Sequence, residues 1–191
     1  MYLEANNGLA ILISHISPDD GCNHDYGVRI KAILERFQHI IRLNLAGHTH
    51  LDLFKLSMSY SEPHHPVGVL GVCGSVSSWT GNPSFCVYEL DQETLLPVSR
   101  KTYAFDLSKA NREGAIEWVL YTDYIKDFNM TDLSPLSFKR LADSFLVDSE
   151  KATDYNRRNR RTFDKGGSCK DKECMLGRYC DATNIDPWEH A

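Results

Sequence analysis

Long hydrophobic runs are missing from this 191-residue chain. The longest candidate, residues 9–13, falls far short of the roughly 18 apolar residues that a membrane-spanning helix needs. An excess of basic charge is missing as well: 21 lysines and arginines stand against 26 acidic side chains, and the net charge of −5 argues against nucleic-acid binding. The 42% hydrophobic fraction predicts one sizeable core and excludes a disordered chain.

The first residues, MYLEANNG, also lack the basic and apolar segments of a secretory signal. Either the protein is cytosolic or its beginning is absent from this sequence. The six cysteines favour an oxidising compartment, because Cys169, Cys174 and Cys180 crowd together as in a disulfide-stapled module. Asn129, in Asn-Met-Thr, is a candidate glycosylation site that fits this compartment, although so short a motif often arises by chance.

The first half of the chain has the pattern of an α/β protein. Residues 9–14 form an apolar, β-prone run, which predicts a strand buried on both faces. An amphipathic helix is predicted over about 26–40 and a second strand over 42–46. From 51 to 107 polar and apolar residues alternate, which predicts an antiparallel meander.

The second half of the chain reads as helical. One candidate helix contains Ile116, Val119 and Leu120, and another begins at Ser134-Pro135, a capping residue followed by proline at the first helical position. Residues 151–191 carry nine basic and seven acidic side chains, a marked shift from the acidic part before them. We therefore predict one domain over 1–110 and a small helical, cysteine-containing domain over 111–191.

Three histidines follow the two predicted strands. His15 ends the first strand, and His48 and His50 come directly after the second. In an extended segment, side chains two residues apart point the same way, and Gly47 allows a tight turn before them. Ligands collect at the carboxyl ends of strands in α/β sheets, so three imidazoles there predict a Zn, Fe or Mn site. The ordinary alternative is a surface His-X-His with a core histidine at position 15.

The sequence around these histidines resembles a known family. Ser-His-Ile-Ser-Pro over 14–18, followed by Ala-Gly-His-Thr-His-Leu-Asp-Leu-Phe over 46–54, is similar to the last two metal-binding motifs of the calcineurin-like metallophosphoesterases. Within that superfamily the chain looks most like the acid-sphingomyelinase-like phosphodiesterases. Segments 77–85, 102–111 and 114–116 and the cysteines from Cys169 onward extend the resemblance over nearly the whole chain.

The resemblance implies a fold and a site. The fold would be part of a sandwich of mixed β-sheets flanked by helices. His50 would bind a first metal, and His15 and His48 a second, with zinc as the expected ion. Two such ions would hydrolyse a phosphodiester by activating water. Asp52 is a candidate partner for the outer nitrogen of a metal-bound histidine; a solvated residue at a strand start is the alternative.

Several parts of the family pattern are missing from these 191 residues: an Asp-X-His, a metal-bridging Asp in a Gly-Asp segment, and an Asn followed by a catalytic His. The chain therefore looks like the C-terminal half of a larger enzyme, and we predict no catalytic residue within it. As it stands, we expect at most one bound zinc and no hydrolysis. Asp19, Asp20 and Asp25, in the loop after His15, are candidates to supplement such a single-metal site. Cys22 lacks the earlier cysteine that the family pairs with it.

The resemblance implies a sphingomyelin-like phospholipid or a nucleotide phosphodiester as substrate, and a secreted or lysosomal location. The competing hypothesis is a non-catalytic remnant that binds a single metal or a lipid headgroup. Tyr60, Trp79 and Asn82 fall in segments that approach the cleft in such enzymes, and aromatic rings there could bind a choline-like cation.

Two further features leave alternatives open. Cys169 with Cys174 resembles the short terminal disulfide of the family, whereas Cys73 and Cys86 either bridge neighbouring strands or are two buried thiols. The basic run 157–161 would contact anionic membrane lipids or form a solvated helix face. Oligomeric state is not predicted.

Overall fold

A computed structural model describes residues 2–18, 24–163 and 167–183 of the chain. It confirms the α/β prediction, with two β-sheets flanked by helices. Seven strands form the sheets: β1 (Ala10–Ile13), β2 (Ile41–Ala46), β3 (Leu53–Met58), β4 (Pro66–Val72), β5 (Ser84–Leu90), β6 (Pro97–Ala104) and β7 (Val119–Asp123). The helices are α1 (Tyr2–Ala5), α2 (His24–Arg36), α3 (Leu107–Glu113), α4 (Tyr124–Asp127), α5 (Pro135–Ser144), α6 (Ser149–Asn159) and α7 (Lys172–Thr183).

The first sheet is mixed and has the strand order β1-β2-β4-β3. β1, β2 and β4 run parallel, and β3 pairs antiparallel with β4. The prediction that the first strand is buried on both faces is wrong, because β1 is an edge strand whose burial alternates, and Ile13 is 78% exposed. The parallel arrangement brings the carboxyl ends of β1 and β2 to one side of the sheet.

The second sheet is antiparallel, with the order β5-β6-β7. The predicted strands between 51 and 107 exist, but they do not form one meander, since β3 and β4 belong to the first sheet. The helix predicted around Ile116, Val119 and Leu120 is also wrong. Val119 opens β7, which pairs with β6, so strand pairing overrides the helical spacing of these residues.

One core joins the two halves of the chain. Phe54 and Leu56 of β3 are fully buried, and Phe54 packs against Phe138 of α5 and Tyr155 of α6. The buried cluster includes residues on both sides of position 110, and β7 completes a sheet that begins before that position. The division into two domains at residue 110 stays a prediction.

The predicted start of α5 is confirmed. Ser134 has an extended backbone, its side chain accepts a hydrogen bond from the Ser137 amide, and Pro135 takes the first helical position. Among the helices within the described ranges, none is both long and apolar enough to cross a membrane.

Candidate functional site

The structure brings His15 and His48 together. They stand two residues beyond the ends of β1 and β2, and the Gly47 amide donates a hydrogen bond of 3.0 Å to the His15 carbonyl. His15 Nε2 lies 3.3 Å from His48 Nδ1, and the two rings are nearly perpendicular, with centroids 5.2 Å apart. Two separate strands thus place two imidazoles side by side at the carboxyl-terminal end of the sheet.

The loop that carries His48 and His50 is a turn and not an extended segment. Both residues have left-handed backbones, with φ of 71° and 58°, whereas Gly47 lies outside that region. The premise that side chains two residues apart point the same way is therefore wrong here. Left-handed conformations are uncommon for residues other than glycine, and such strained residues cluster at functional sites.

His50 lies against a different neighbour. Its ring meets Trp79 edge to face, with centroids 6.1 Å apart, and its carbonyl accepts a hydrogen bond of 2.7 Å from Thr80. His50 Nδ1 is buried and has no hydrogen-bond partner within the part of the chain that the structure describes. In the same ranges no three His, Cys, Asp or Glu side chains lie close enough to hold a metal ion. The described geometry is therefore a pair formed by His15 and His48, with the His50 ring against Trp79 instead.

Asp52 belongs to a buried ion pair that the sequence did not indicate. Its Oδ1 accepts from Arg100 Nη2 at 2.7 Å, both side chains are 1% exposed, and Thr102 donates to the other carboxylate oxygen. The same guanidinium nitrogen also donates to the carbonyls of Leu53 and Val72. The alternative of a solvated residue is wrong, and the observed contacts of Asp52 tie the second sheet to the start of β3.

Both polar atoms of the Asn82 side chain form hydrogen bonds with backbone groups. Its Nδ2 donates to the Arg161 carbonyl at 2.8 Å, and its Oδ1 accepts from the Leu107 amide at 2.9 Å. These contacts fix the loop that carries Trp79. Trp79 itself is 85% exposed beside His50, so of the predicted cleft residues it is the one with a free face next to the histidines.

Tyr60 lies at the other end of the sheet. It follows the carboxyl end of β3, whose first residue is close to the histidine loop, and a six-residue strand spans about 17 Å. Lys31 Nζ is 4.4 Å from the Tyr60 ring centroid, and the Tyr60 hydroxyl donates to the Val28 carbonyl at 3.3 Å. The structure thus places this ring against α2 and away from the histidines.

The basic run is not a solvated helix face. Arg161 is fully buried, with Nε donating to the Asn82 carbonyl at 3.0 Å and Nη1 to the Asn159 carbonyl at 2.8 Å. Burial lowers the pKa of this guanidinium. Arg158 pairs with Asp154 and Asp127. Arg161 therefore supports the loop that carries Asn82, and a membrane contact through the rest of the run stays a prediction.

Small residues make room for Arg161. A Cβ on Gly74 would lie 2.7 Å from the Arg161 guanidinium carbon, and one on Gly81 would overlap the Arg160 carbonyl. Gly81 also has a φ of 148°, which side chains rarely allow. Gly74 and Gly81, which lie on either side of Trp79 in the sequence, are the signal from which a tightly packed loop could have been predicted.

The cysteines resolve the open alternatives. Cys73 is bonded to Cys86, which links the loop after β4 to β5, and Cys169 is bonded to Cys174, as the resemblance implies. Cys180 is a free thiol. Two disulfides are compatible with a secreted or lysosomal protein. Asn129 is exposed in the turn after α4, so it is accessible, and its glycosylation remains a prediction.

Other predicted residues have no described place beside the histidines. Asp19, Asp20 and Cys22 lie outside the described residues, and Asp25 falls in the first turn of α2. Whether a carboxylate joins His15 and His48 therefore stays a prediction.

Comparison with known proteins matches the sequence of this chain to one family. Residues 67–190 match the model of the acid sphingomyelin phosphodiesterase C-terminal region. Sphingomyelin phosphodiesterase 2 of Caenorhabditis elegans is 28% identical over 93% of this chain and 30% of its own length. Sphingomyelin phosphodiesterase B of Dictyostelium discoideum is 25% identical over 88% of this chain and 28% of its own length.

A relative with a different named substrate also aligns. The human cyclic GMP-AMP phosphodiesterase is 26% identical over 87% of this chain and 38% of its own length. The chain therefore spans about a third of the curated relatives that it matches. Since the family model covers more than half of the chain, the chain belongs to the family of acid sphingomyelin phosphodiesterase C-terminal regions.

Proposed function

We propose that this chain contributes the histidine part of a divalent-metal centre in a phosphoric diester hydrolase. His15 and His48 would bind one ion, and His50 would bind at the neighbouring position. The observation that carries the proposal is the 3.3 Å approach of His15 Nε2 to His48 Nδ1 at the carboxyl ends of two parallel strands.

The residues fit a zinc ion in two respects. Two nitrogens bound to one tetrahedral zinc at about 2.05 Å are about 3.3 Å apart, which matches the observed pair. His50 Nδ1 is a buried polar atom without a described partner, and a metal ion would give it one. A hydrogen bond between the two rings would give the same separation, so metal binding needs its own measurement.

When bound, the metal would polarise a phosphoryl oxygen and supply a hydroxide nucleophile. The residues of this chain would hold the ion and contact the substrate. His15 and His48 would hold the ion from two strand ends, and the exposed Trp79 ring would offer an apolar or cation-binding surface to the substrate next to His50. Arg161 and Asn82 bind each other and so support the loop that follows Trp79.

We infer that hydrolysis requires groups beyond those on this chain. Three neutral imidazoles leave the charge of a divalent ion uncompensated, and the described residues bring no carboxylate to the histidine pair. The substrates named for the relatives, sphingomyelin and cyclic GMP-AMP, are both phosphodiesters, and a phosphodiester is the substrate class that we propose. The disulfides support secretion or a lysosomal location.

Zinc titration of the 191-residue chain by calorimetry tests the metal centre. We expect one zinc per chain, with affinity reduced at least tenfold in His15→Gln and His48→Gln. His64→Gln, which changes an exposed turn histidine, is the matched control and should bind zinc as the parent does. Equal zinc affinity in His48→Gln and the parent would show that the pair is only a hydrogen bond.

Activity is measured separately, with bis(p-nitrophenyl) phosphate. We expect negligible turnover by this chain with zinc present. Robust turnover that His48→Gln abolishes would show that the chain carries a complete site, contrary to the inferred need for further groups.

A further inference from the structure

The His50 loop, residues 47–52, is held at two points by segments that are distant in the sequence. The His50 carbonyl accepts a hydrogen bond of 2.7 Å from the Thr80 hydroxyl. Two residues further along the chain, the Asp52 amide donates to the Asn159 carbonyl at 3.0 Å. Both ends of the short stretch that follows the His50 ring are therefore fixed from outside the loop.

Arg161 connects the two segments that hold the His50 loop. Its guanidinium is fully buried, with Nε donating to the Asn82 carbonyl at 3.0 Å and Nη1 to the Asn159 carbonyl at 2.8 Å. The Asn82 side chain donates in return to the Arg161 carbonyl at 2.8 Å. Asn82 lies two residues beyond Thr80, and the Asn159 carbonyl is the one that holds the loop. The hydrogen bonds therefore form a closed ring that begins and ends in the His50 loop.

An apolar side chain would fill the position of Arg161 at a lower desolvation cost. A guanidinium loses its hydration when it is buried, and only hydrogen bonds made inside the protein offset that loss. Arginine differs from other side chains in presenting its N–H donors as a planar fork. Here two nitrogens of that fork reach carbonyls of two different segments. The side chain therefore joins segments in addition to filling space.

His50 has a backbone conformation that needs such support. Its φ of 58° lies in the left-handed region, which is unfavourable for a residue with a Cβ and persists where surrounding contacts fix it. The Thr80 hydroxyl binds the carbonyl of His50 itself, so it acts on the peptide group next to the strained residue. Trp79 directly precedes Thr80 and meets the His50 ring edge to face, with centroids 6.1 Å apart. One hydrogen bond thus links the His50 backbone to the segment whose aromatic ring its imidazole contacts.

We propose that Thr80 and Arg161 are positioning residues that set the orientation of the His50 imidazole. Thr80 acts through the His50 carbonyl, and Arg161 acts through the carbonyls of Asn82 and Asn159. The consequence for metal binding rests on the proposed function, since it takes His50 as a ligand. The orientation of the ring is a property of the metal-free chain and is measured without zinc.

Nuclear magnetic resonance of the metal-free 191-residue chain with isotope-labelled histidine tests the proposal. The His50 ring signals are assigned by their loss in His50→Gln, and the parent should show nuclear Overhauser contacts between the His50 and Trp79 rings. Thr80→Val has a side chain of similar shape without the hydroxyl, and it should lose these contacts. Thr80→Ser keeps the hydroxyl and should retain them.

A second pair of variants tests the more distant residue. Arg161→Met keeps an unbranched stem and removes both donors, so it should also lose the contacts between His50 and Trp79. Arg160→Met, at the exposed neighbouring position, is the matched control and should retain them. The contact between the His15 and His48 rings should persist in all four variants, which distinguishes reorientation of one imidazole from general unfolding.

Three results would overturn the positioning roles. Contacts between His50 and Trp79 that are absent from the parent, or unchanged in Thr80→Val, would show that the hydroxyl does not set the ring. Loss of the contacts in Thr80→Ser as well would show that the hydrogen bond is not the cause. Unchanged contacts in Arg161→Met would exclude Arg161. A parent chain that binds no zinc in calorimetry would contradict the proposed function instead, since these signals are recorded without metal.

Discussion

Removing the charge of Asp52, directly before β3, should destabilise the protein more than removing an exposed charge of the second sheet. Arg100 donates through one nitrogen to Asp52 at 2.7 Å and to two backbone carbonyls at 2.9 and 3.0 Å. Its guanidinium carbon lies 4.1 Å from the Tyr124 ring centroid. Asp52→Asn keeps the shape of the site and leaves this buried cation without its counter-ion.

The cost follows from burial. Both side chains are 1% exposed, and breaking a buried pair on one side costs about 3–5 kcal/mol, since the remaining charge is desolvated and uncompensated. With a urea dependence of about 2 kcal/mol/M, the unfolding midpoint should fall by about 1.5–2.5 M. Replacing both partners, as in Asp52→Leu with Arg100→Met, should restore much of the loss, because no charge is left buried.

Urea unfolding followed by circular dichroism measures these midpoints. Glu89→Gln is the matched control, since it breaks an exposed ion pair with Lys101 on the same sheet and should shift the midpoint little. A loss below about 1 kcal/mol in Asp52→Asn, or a double variant less stable than the single one, would refute the assignment of Asp52 as the counter-ion of Arg100.

Two more predictions concern stability. Hydrogen bonds from Ser59 and the Tyr60 amide lower the pKa of Glu35. The stability that this carboxylate contributes is therefore complete above the ordinary pKa of 4.5 and is lost as the pH falls through the lowered pKa. In thermal melts, the melting temperature of Glu35→Gln should fall less with decreasing pH than that of the parent. Removing the Cys73–Cys86 disulfide by serine substitution should lower the free energy of unfolding by about 3 kcal/mol, and removing Cys169–Cys174 should lower it by about 2 kcal/mol. The first loss is larger because the first disulfide closes a longer loop. Equal losses of unfolding free energy in urea would contradict this order.

The elements that sequence reasoning predicted best are those with strong local signals. The cap and proline at 134–135 fix the start of α5, since they satisfy the first free amides of the helix wherever it packs. The strands on either side of α2 follow from apolar runs, and the family resemblance follows from ordered motifs around three histidines. Strand ends at one edge of a parallel sheet then required His15 and His48 to be neighbours.

The errors come from long-range packing. Residues 116–120 have helical spacing, yet pairing with β6 makes the end of this segment a strand. Arg100, Asp52 and Arg161 look like surface charges in sequence and are buried in the structure, because partners more than forty residues away compensate them. Local propensity and composition contain no record of such partners.

The amino-acid sequence by itself determined the α/β class, the capped helix and the presence of two histidine-bearing strand ends, since each depends on neighbours along the chain. Only the tertiary structure decided that His50 turns toward Trp79, that Asp52 holds Arg100, and that the buried Arg161 joins two distant segments. Those outcomes depend on which distant surfaces meet, and burial then sets the cost of every unpaired charge or donor between them.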